Sequence, residues 1–173
     1  MRRLIVVGNG RAADAFLRQM RNYKHSLLIT VFGDHPLHHK LAWYLDREID
    51  LRHGVRVTAI DRHARVARGS DGSFTTYDRL VLAIGMPSKN GLSVPGLQTR
   101  DGVMVNRAME TSDGYIYAIG DCAEVRDERW ARELGKQARI LAARLASECD
   151  GMELADAKDE GWSFAPPELA PTA

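Results

Sequence analysis

The chain opens with short, mostly apolar runs separated by polar turns. Residues 4–7 and 27–32 are such runs, typical of strands that are buried on both faces of a sheet. Between them, apolar residues recur at the spacing of one helix face: Ala12, Ala13, Phe16, Leu17 and Met20. Strand, helix and strand within about 30 residues predict a βαβ unit with a right-handed crossover.

The same pattern continues along the chain and predicts the remaining elements. Strands are predicted at residues 56–60, 80–83, 103–105 and 116–119, a hairpin at 64–67 and 74–77 around the turn 70–73, and a helix from about Glu128 to Cys149. In that helix, one face carries Trp130, Leu134, Ala138, Leu141 and Leu145. Residues 34–53 show only a weak helical pattern without clear bounds. Residues 86–102 have the composition of a linker, and 151–173 that of a tail.

Composition and charge narrow the class of protein. The 173 residues are 45% hydrophobic and 27% charged, which indicates a folded globular domain. A net charge of +1 argues against a general nucleic-acid binder. Cys122 and Cys149 form no closely spaced pair, and no run is long enough for a signal peptide or a membrane span, so we expect a soluble, cytoplasmic protein.

A glycine-rich turn lies between the first strand and the first helix. Residues 8–13 read Gly-Asn-Gly-Arg-Ala-Ala and match the dinucleotide-binding pattern G-x-G-x-x-G/A. Gly8 permits the tight turn, Gly10 lets the backbone approach a diphosphate, and Ala13 keeps helix and strand close. The helix N-terminus that begins at Arg11 and Ala12 offers N–H groups to the phosphates.

An acidic residue stands where the ribose of a bound nucleotide is expected. Asp34 follows the second strand about 20 residues after Ala13, where a carboxylate accepts hydrogen bonds from the ribose hydroxyls. The motif does not separate FAD from NAD, because both present an ADP half to the same turn. The alternative interpretation is that the glycine turn and the aspartate only connect strands and helix and bind no nucleotide.

Two later motifs carry a family resemblance. Residues 111–121 end in Ile-Tyr-Ala-Ile-Gly-Asp, and residues 77–85 read Tyr-Asp-Arg-Leu-Val-Leu-Ala-Ile-Gly. The sequence resembles the FAD-binding domain of the pyridine nucleotide-disulfide oxidoreductase-like flavoprotein reductases, especially assimilatory nitrite reductase large subunits and rubredoxin reductases. The resemblance implies that Asp121, after Gly120, binds the ribityl chain of FAD, and that Ala83, Ile84 and Gly85 lie near the cofactor. Ile84 stands where the family usually has threonine.

The same resemblance implies roles for two further positions and for the domain organisation. The backbone around Val57 would meet the adenine, and Lys40 would lie near the flavin, where a cation can raise its reduction potential. A solvated lysine is the alternative for Lys40. The family inserts an NAD-binding domain where only four residues separate Leu97 from Gly102 here. Residues 1–150 are therefore interpreted as one FAD-binding domain without its nicotinamide and C-terminal interface domains.

Other polar and aromatic residues allow additional hypotheses. His35, His38 and His39 permit a metal interpretation, but no carboxylate or cysteine spacing completes a site, so no metal is expected. Cys122 is interpreted as a packed residue without redox chemistry. Exposed aromatic residues could contact a partner or a second copy of the chain: Trp43, Tyr44 and Trp162.

Together, these observations predict an α/β fold with a Rossmann-like, doubly wound, mostly parallel sheet and a small antiparallel hairpin layer. The first functional hypothesis is a flavoprotein oxidoreductase or electron-transfer component that takes electrons from a separate donor. A non-catalytic module that binds FAD or an adenine nucleotide is the alternative, and a fragment without a dedicated role is a third.

Overall fold

A computed structural model of the chain describes residues 2–85, 92, 94, 96–125 and 133–149. Its helices are α1 (Arg11–Met20), α2 (Leu41–Leu45) and α3 (Leu134–Cys149), with a short 3-10 helix at Gly120–Cys122. The first five strands are β1 (Arg2–Val7), β2 (Leu27–Gly33), β3 (Asp50–His53), β4 (Val57–Asp61) and β5 (Val66–Gly69). The other five are β6 (Phe74–Thr76), β7 (Arg79–Leu82), β8 (Val103–Val105), β9 (Ile116–Ala118) and β10 (Ala123–Val125).

The main layer is a five-stranded sheet with the order β3-β2-β1-β7-β9, and every neighbouring pair in it is parallel. Apart from the edge strand β3, these strands are largely buried on both faces, which explains why their sequences are mostly apolar. The structure confirms the β1-α1-β2 unit. It also confirms the strands predicted at 80–83 and 116–119, whose ends each differ from the prediction by at most one residue. The predicted doubly wound α/β fold is therefore correct.

The second layer is an antiparallel sheet with the order β4-β5-β6. The predicted hairpin around residues 70–73 is confirmed, and Gly72 in its turn has φ of 82°. Oδ1 of Asp71 accepts hydrogen bonds from the backbone N–H (3.0 Å) and the hydroxyl (2.6 Å) of Ser73, which close the turn. The predicted strand 56–60 is β4, one residue later than expected, and it extends the hairpin to three strands.

Three short elements were not predicted from the sequence pattern. Two lie in a segment whose bounds were unclear, and the third is a strand that the pattern did not indicate. β3 and α2 fall inside residues 34–53, and β10 pairs in parallel with β8. β3 reads Asp-Leu-Arg-His and lies at the edge of the main sheet, with β2 as its neighbour there. An edge strand with one partner needs no continuous apolar run, so its sequence resembles a loop.

Helix α3 packs against α1 on one face of the main sheet. Its predicted apolar face is confirmed where it is described, because Ala138, Leu141 and Leu145 are buried. The helix begins at Leu134, and the predicted start near Glu128 lies outside the described residues, as does Trp130. The predicted tail, 151–173, also lies outside them. No described helix combines the length and apolar character needed to span a membrane.

A tight turn joins Leu97 to β8. The backbone N–H of Met104 donates to the carbonyl of Gln98 at 2.9 Å, and that of Arg100 to the carbonyl of Gly102 at 3.0 Å. The N–H of Gln98 also donates to the hydroxyl of Ser112 at 3.2 Å. The four residues between Leu97 and Gly102 therefore form a turn that is closed by hydrogen bonds.

The structure describes two of the three aromatic residues expected on a contact surface. Tyr44 is 3% exposed and belongs to the core, so its assignment to a contact surface was wrong. Trp43 is partly buried; its ring stacks on His39 with centroids 4.1 Å apart, and the guanidinium of Arg47 lies 4.3 Å from the indole centroid. Trp162 is outside the described residues. The helical spacing of α2 turns Tyr44 inward, which the sequence pattern did not reveal.

A cluster of polar side chains ties the end of α3 to the amino-terminal edge of the main sheet. Glu148 accepts hydrogen bonds from the hydroxyl of Tyr117 (2.9 Å) and from Nε of Arg79 (2.7 Å), and Nε of Arg144 lies 3.3 Å from it. The side chains of Arg79 and Glu148 are only 17% and 14% exposed. Burial beside the Glu148 carboxylate raises the pKa of Tyr117, which keeps its hydroxyl a donor.

We expect Glu148→Ala to lower the free energy of unfolding by about 2 kcal/mol, because it leaves Arg79 and Tyr117 without their shared acceptor in a mostly buried position. Urea unfolding followed by circular dichroism measures the change. The matched control is Glu133→Ala: Glu133 forms a 3.0 Å pair with Lys136 but is 61% exposed, so its removal should change stability little. Equal losses in the two variants would contradict the role of the cluster.

Candidate functional site

Four chain segments meet at the carboxyl-terminal edge of the main sheet. The N–H of Gly8 donates to the carbonyl of Phe32 at 2.7 Å, that of Ala83 to Val7 at 2.8 Å, and that of Ile119 to Leu82 at 2.9 Å. These bonds link the ends of β2, β1, β7 and β9. The carboxyl-terminal edge is where parallel α/β sheets bind ligands.

The glycine turn approaches a neighbouring strand closely. Gly8 has φ of +103°, and a Cβ there would overlap the carbonyl oxygen of Ala83. Gly10 has extended backbone (φ −80°, ψ −165°), and no heavy atom lies within 4 Å of the position that its Cβ would occupy. Ala13 is buried at 1% exposure, where α1 contacts the core. Gly8 is thus needed for packing, whereas Gly10 leaves open space outside the turn.

That open space suits a diphosphate. Arg11, Ala12 and Ala13 form the first turn of α1, whose N–H groups have no carbonyl partner within the helix. Such N–H groups and the helix dipole attract anions. Arg11 is also exposed beside them. The turn therefore combines space, donors and positive charge at one place.

Asp34 lies directly after β2, at the same edge. Its side chain is 45% exposed, and its carboxylate lies 3.4 Å from Nε of Arg56. The sequence did not indicate this ion pair. Since Arg56 precedes Val57 at the start of β4, the pair also brings the position expected to meet an adenine near Asp34.

The segment after β9 is attached to both helices that cover this face. Gly120 has φ of +79°, and its Cβ would lie 2.6 Å from Cβ of Ala12. Its N–H donates to Oε1 of Gln137 at 2.7 Å, and Gln137 is 4% exposed. Asp121 follows with an exposed side chain. The structure therefore brings Asp121 next to the start of α1, as a shared site requires.

The remaining predicted positions lie in the segment after β7 and immediately before α2. Gly85 is exposed and Ile84 partly buried, with Cγ2 of Ile84 3.3 Å from the position of a Cβ on Gly8. Lys40 is exposed immediately before α2. Its neighbour His39 lies 2.6 Å from the Asp14 carboxylate on α1, which holds this loop against the helix. Within the described ranges, no group of three or more His, Cys, Asp or Glu residues could hold a metal ion.

The sequence did not single out two buried polar residues of the site, Asn9 and Gln137. Asn9 lies at a variable position of the glycine pattern, and Gln137 is adjacent to the apolar stripe of α3. Both are almost fully buried. Because buried amides need hydrogen-bond partners, a polar residue beside a strongly apolar stripe is the signal that could have found Gln137.

Cys122 is buried next to Asp121. Its thiol is 3.2 Å from the carbonyl of Ile119 and 3.4 Å from that of Leu82. Burial raises its pKa to about 11, so the thiol stays protonated at neutral pH. This agrees with the interpretation of Cys122 as a packed residue, since thiol reactivity requires the thiolate.

We expect Cys122 to resist modification in the folded protein. In the Cys149→Ser variant, a disulfide reagent at about pH 8 should label Cys122 only as fast as the protein unfolds. In the unfolded chain the Cys122 thiol has its ordinary pKa of 9.0, whereas in the folded protein its pKa is about 11. The buried thiol therefore contributes to stability below pH 9, and this contribution is lost as the pH rises from 9 through about 11. Labelling at the rate of a free thiol would contradict the burial.

Comparisons with known proteins identify one matching family model and several similar proteins. Residues 43–139 match the family model described as pyridine nucleotide-disulphide oxidoreductase. The rubredoxin-NAD(+) reductase of Acinetobacter baylyi is 27% identical over 163 residues, covering 85% of this chain and 42% of that protein. Putidaredoxin reductase of Pseudomonas putida is 32% identical over 118 residues, covering 59% and 28%. The chain thus spans less than half the length of these relatives.

Solved structures share the fold at low sequence identity. The covalent putidaredoxin reductase–putidaredoxin complex matches with a TM-score of 0.73 and 16% identity, over 84% of this chain and 75% of that chain. A ferredoxin reductase from Rhodopseudomonas palustris also matches with a TM-score of 0.73 and 16% identity, over 86% and 77%. These matches agree with the α/β architecture described above.

Proposed function

This chain belongs to the pyridine nucleotide-disulphide oxidoreductase family, and we propose that it binds one FAD and serves as an oxidoreductase or electron-transfer component. The observation that carries the proposal is the convergence of the glycine turn, Asp34, residues 83–85 and Asp121 at one edge of the sheet. When bound, FAD would supply the electron-transfer chemistry.

Each predicted residue has a place in this proposal. Gly8 and Gly10, with the N–H groups of Arg11, Ala12 and Ala13, would hold the diphosphate. Asp34 would bind the adenosine ribose, and the backbone at Val57 would meet the adenine. The flavin half would lie near Lys40, residues 83–85, Gly120 and Asp121. The open space beside Gly10 and the exposed carboxylates of Asp34 and Asp121 support this assignment.

The electron donor or acceptor is proposed to be a separate molecule. We interpret residues 1–150 as one FAD-binding domain, because the turn from Gln98 to Met104 closes the point where the nicotinamide domain is expected. The names of the relatives include rubredoxin and putidaredoxin as redox partners. A small redox protein is therefore the class of partner proposed here.

A binding module without turnover is the second candidate. The observation that favours it is Ile84, whose apolar side chain lies beside Gly8 where the family usually has a hydroxyl. An electron carrier must be reduced and reoxidised, whereas a binding module needs only affinity. Photoreduction followed by reoxidation with a small redox protein separates the two.

We expect the purified protein to show a flavin absorption spectrum and to release free FAD on denaturation. Asp121→Ala should weaken FAD binding by about tenfold or more while ADP binding is unchanged, since Asp121 would contact only the flavin half. Asp34→Ala should weaken both. Calorimetry with FAD and ADP measures these affinities, with Asp101→Ala, an exposed aspartate in the turn after Leu97, as the control. A protein that binds ADP but never FAD would refute the proposal.

We also expect NADH to reduce the FAD-loaded protein slowly, with a rate that rises linearly with NADH concentration. Without a nicotinamide site, nothing orients the donor over the flavin, and the advantage of bound geometry is lost. Stopped-flow absorbance measures the rate, and dithionite provides the control that the flavin is reducible. Fast reduction that saturates with NADH would show that the chain contains a nicotinamide site.

A further inference from the structure

Asn9 is a buried polar residue inside the glycine turn. It lies between Gly8 and Gly10 and is only 3% exposed. The dinucleotide-binding pattern places no requirement on this position. A buried carboxamide is unfavourable unless both of its ends are hydrogen-bonded, so its partners indicate why it is there.

Both ends of the Asn9 carboxamide bond to the backbone of one residue. Nδ2 donates to the carbonyl oxygen of His35 at 2.7 Å, and Oδ1 accepts from the N–H of His35 at 3.0 Å. A carbonyl accepts and an N–H donates, so the amide orientation is determined by its partners. Asn9 therefore attaches the glycine turn to the loop after β2.

The residue on the other side of Asp34 also contacts Asn9. A Cβ on Gly33 would overlap Oδ1 of Asn9 and would lie 2.7 Å from its backbone nitrogen. Gly33 is thus packed directly against Asn9, and only glycine allows this approach. Since residues 33 and 35 both contact Asn9, the backbone of Asp34 is held between two attachment points.

The exposed ion pair of Asp34 is a weaker constraint. Arg56 lies 3.4 Å from the carboxylate, but its side chain is 67% exposed and that of Asp34 is 45% exposed. Pairs exposed to this extent contribute little, because solvent screens them and the side chains stay mobile. The buried carboxamide is therefore the better candidate for what sets the position of Asp34.

We propose that Asn9 is a positioning residue, which holds Asp34 at the distance from the glycine turn that lets its carboxylate bind the ribose hydroxyls of an adenine nucleotide. This inference rests on the proposed nucleotide site. It adds that selectivity for an intact ribose depends on Asn9, a residue that need not touch the nucleotide with its side chain.

The test compares ADP with 2′,3′-dideoxy-ADP, which lacks the ribose hydroxyls, by calorimetry on protein freed of bound nucleotide. The wild type should bind ADP about tenfold more tightly than the dideoxy compound. In Asn9→Ala the ratio should fall towards one, mainly through weaker ADP binding. In Asp34→Ala it should also fall, and the double variant should lose no more than Asp34→Ala alone. Asn9→Ser, which keeps a single hydrogen bond, should be intermediate and replaces Asn9→Ala if that variant does not fold.

A second measurement needs no ligand. Hydrogen exchange of the His35 amide should be faster in Asn9→Ala than in the wild type, because its acceptor is removed. The matched control is Asn106→Ala: Oδ1 of Asn106 accepts from the backbone N–H groups of Ala108 and Glu110, both at 2.9 Å, in another loop. This control variant should lose stability. It should change neither the ratio of the affinities for ADP and 2′,3′-dideoxy-ADP nor the exchange rate of the His35 amide.

The outcomes separate the two proposals. A wild type that binds FAD and ADP without discriminating against the dideoxy compound overturns the positioning role and leaves the proposed function intact. The same conclusion follows if Asn9→Ala weakens both compounds equally, or if its effect adds to that of Asp34→Ala. A wild type that binds neither FAD nor ADP refutes the proposed function, and the positioning role with it.

Discussion

The close approach of Gly8 to the carbonyl oxygen of Ala83 is the constraint on which the rest of the candidate site depends. It requires a residue without Cβ and with positive φ, and Gly8 meets both conditions. The approach brings the end of β1 against the end of β7, and α1 then starts beside the segment after β9. Two residues later, no heavy atom lies within 4 Å of the position that a Cβ on Gly10 would occupy.

Helix α3 connects this edge to the opposite end of the sheet. Near its start, Gln137 holds the N–H of Gly120, and in its last turn Glu148 binds Tyr117 and Arg79. Ala138, Leu141 and Leu145 lie between these polar attachments and are buried. An apolar stripe alone would permit sliding along the sheet, whereas the two sets of hydrogen bonds define one position. That position places Asp121 beside the start of α1.

The accuracy of the sequence predictions depended on how many faces an element buries. β1, β2 and β7 are mostly buried, and their apolar runs located them to within two residues. β3 and β10 are short, each with a single strand partner in its sheet, and their sequences carry no such run. Tyr44 was misplaced because α2 has only five residues, too few to show which face is apolar.

The sequence by itself determined the βαβ unit, the glycine turn and the order of the motifs, because hydrophobic periodicity and the special conformations of glycine are local properties. The family resemblance also followed from contiguous motifs. The tertiary structure alone decided which distant residues meet: Asn9 with His35, Arg56 with Asp34, Gln137 with Gly120, and Glu148 with Arg79. These contacts join residues far apart in the chain, and their hydrogen bonds depend on how the strands and helices pack, which no local pattern encodes.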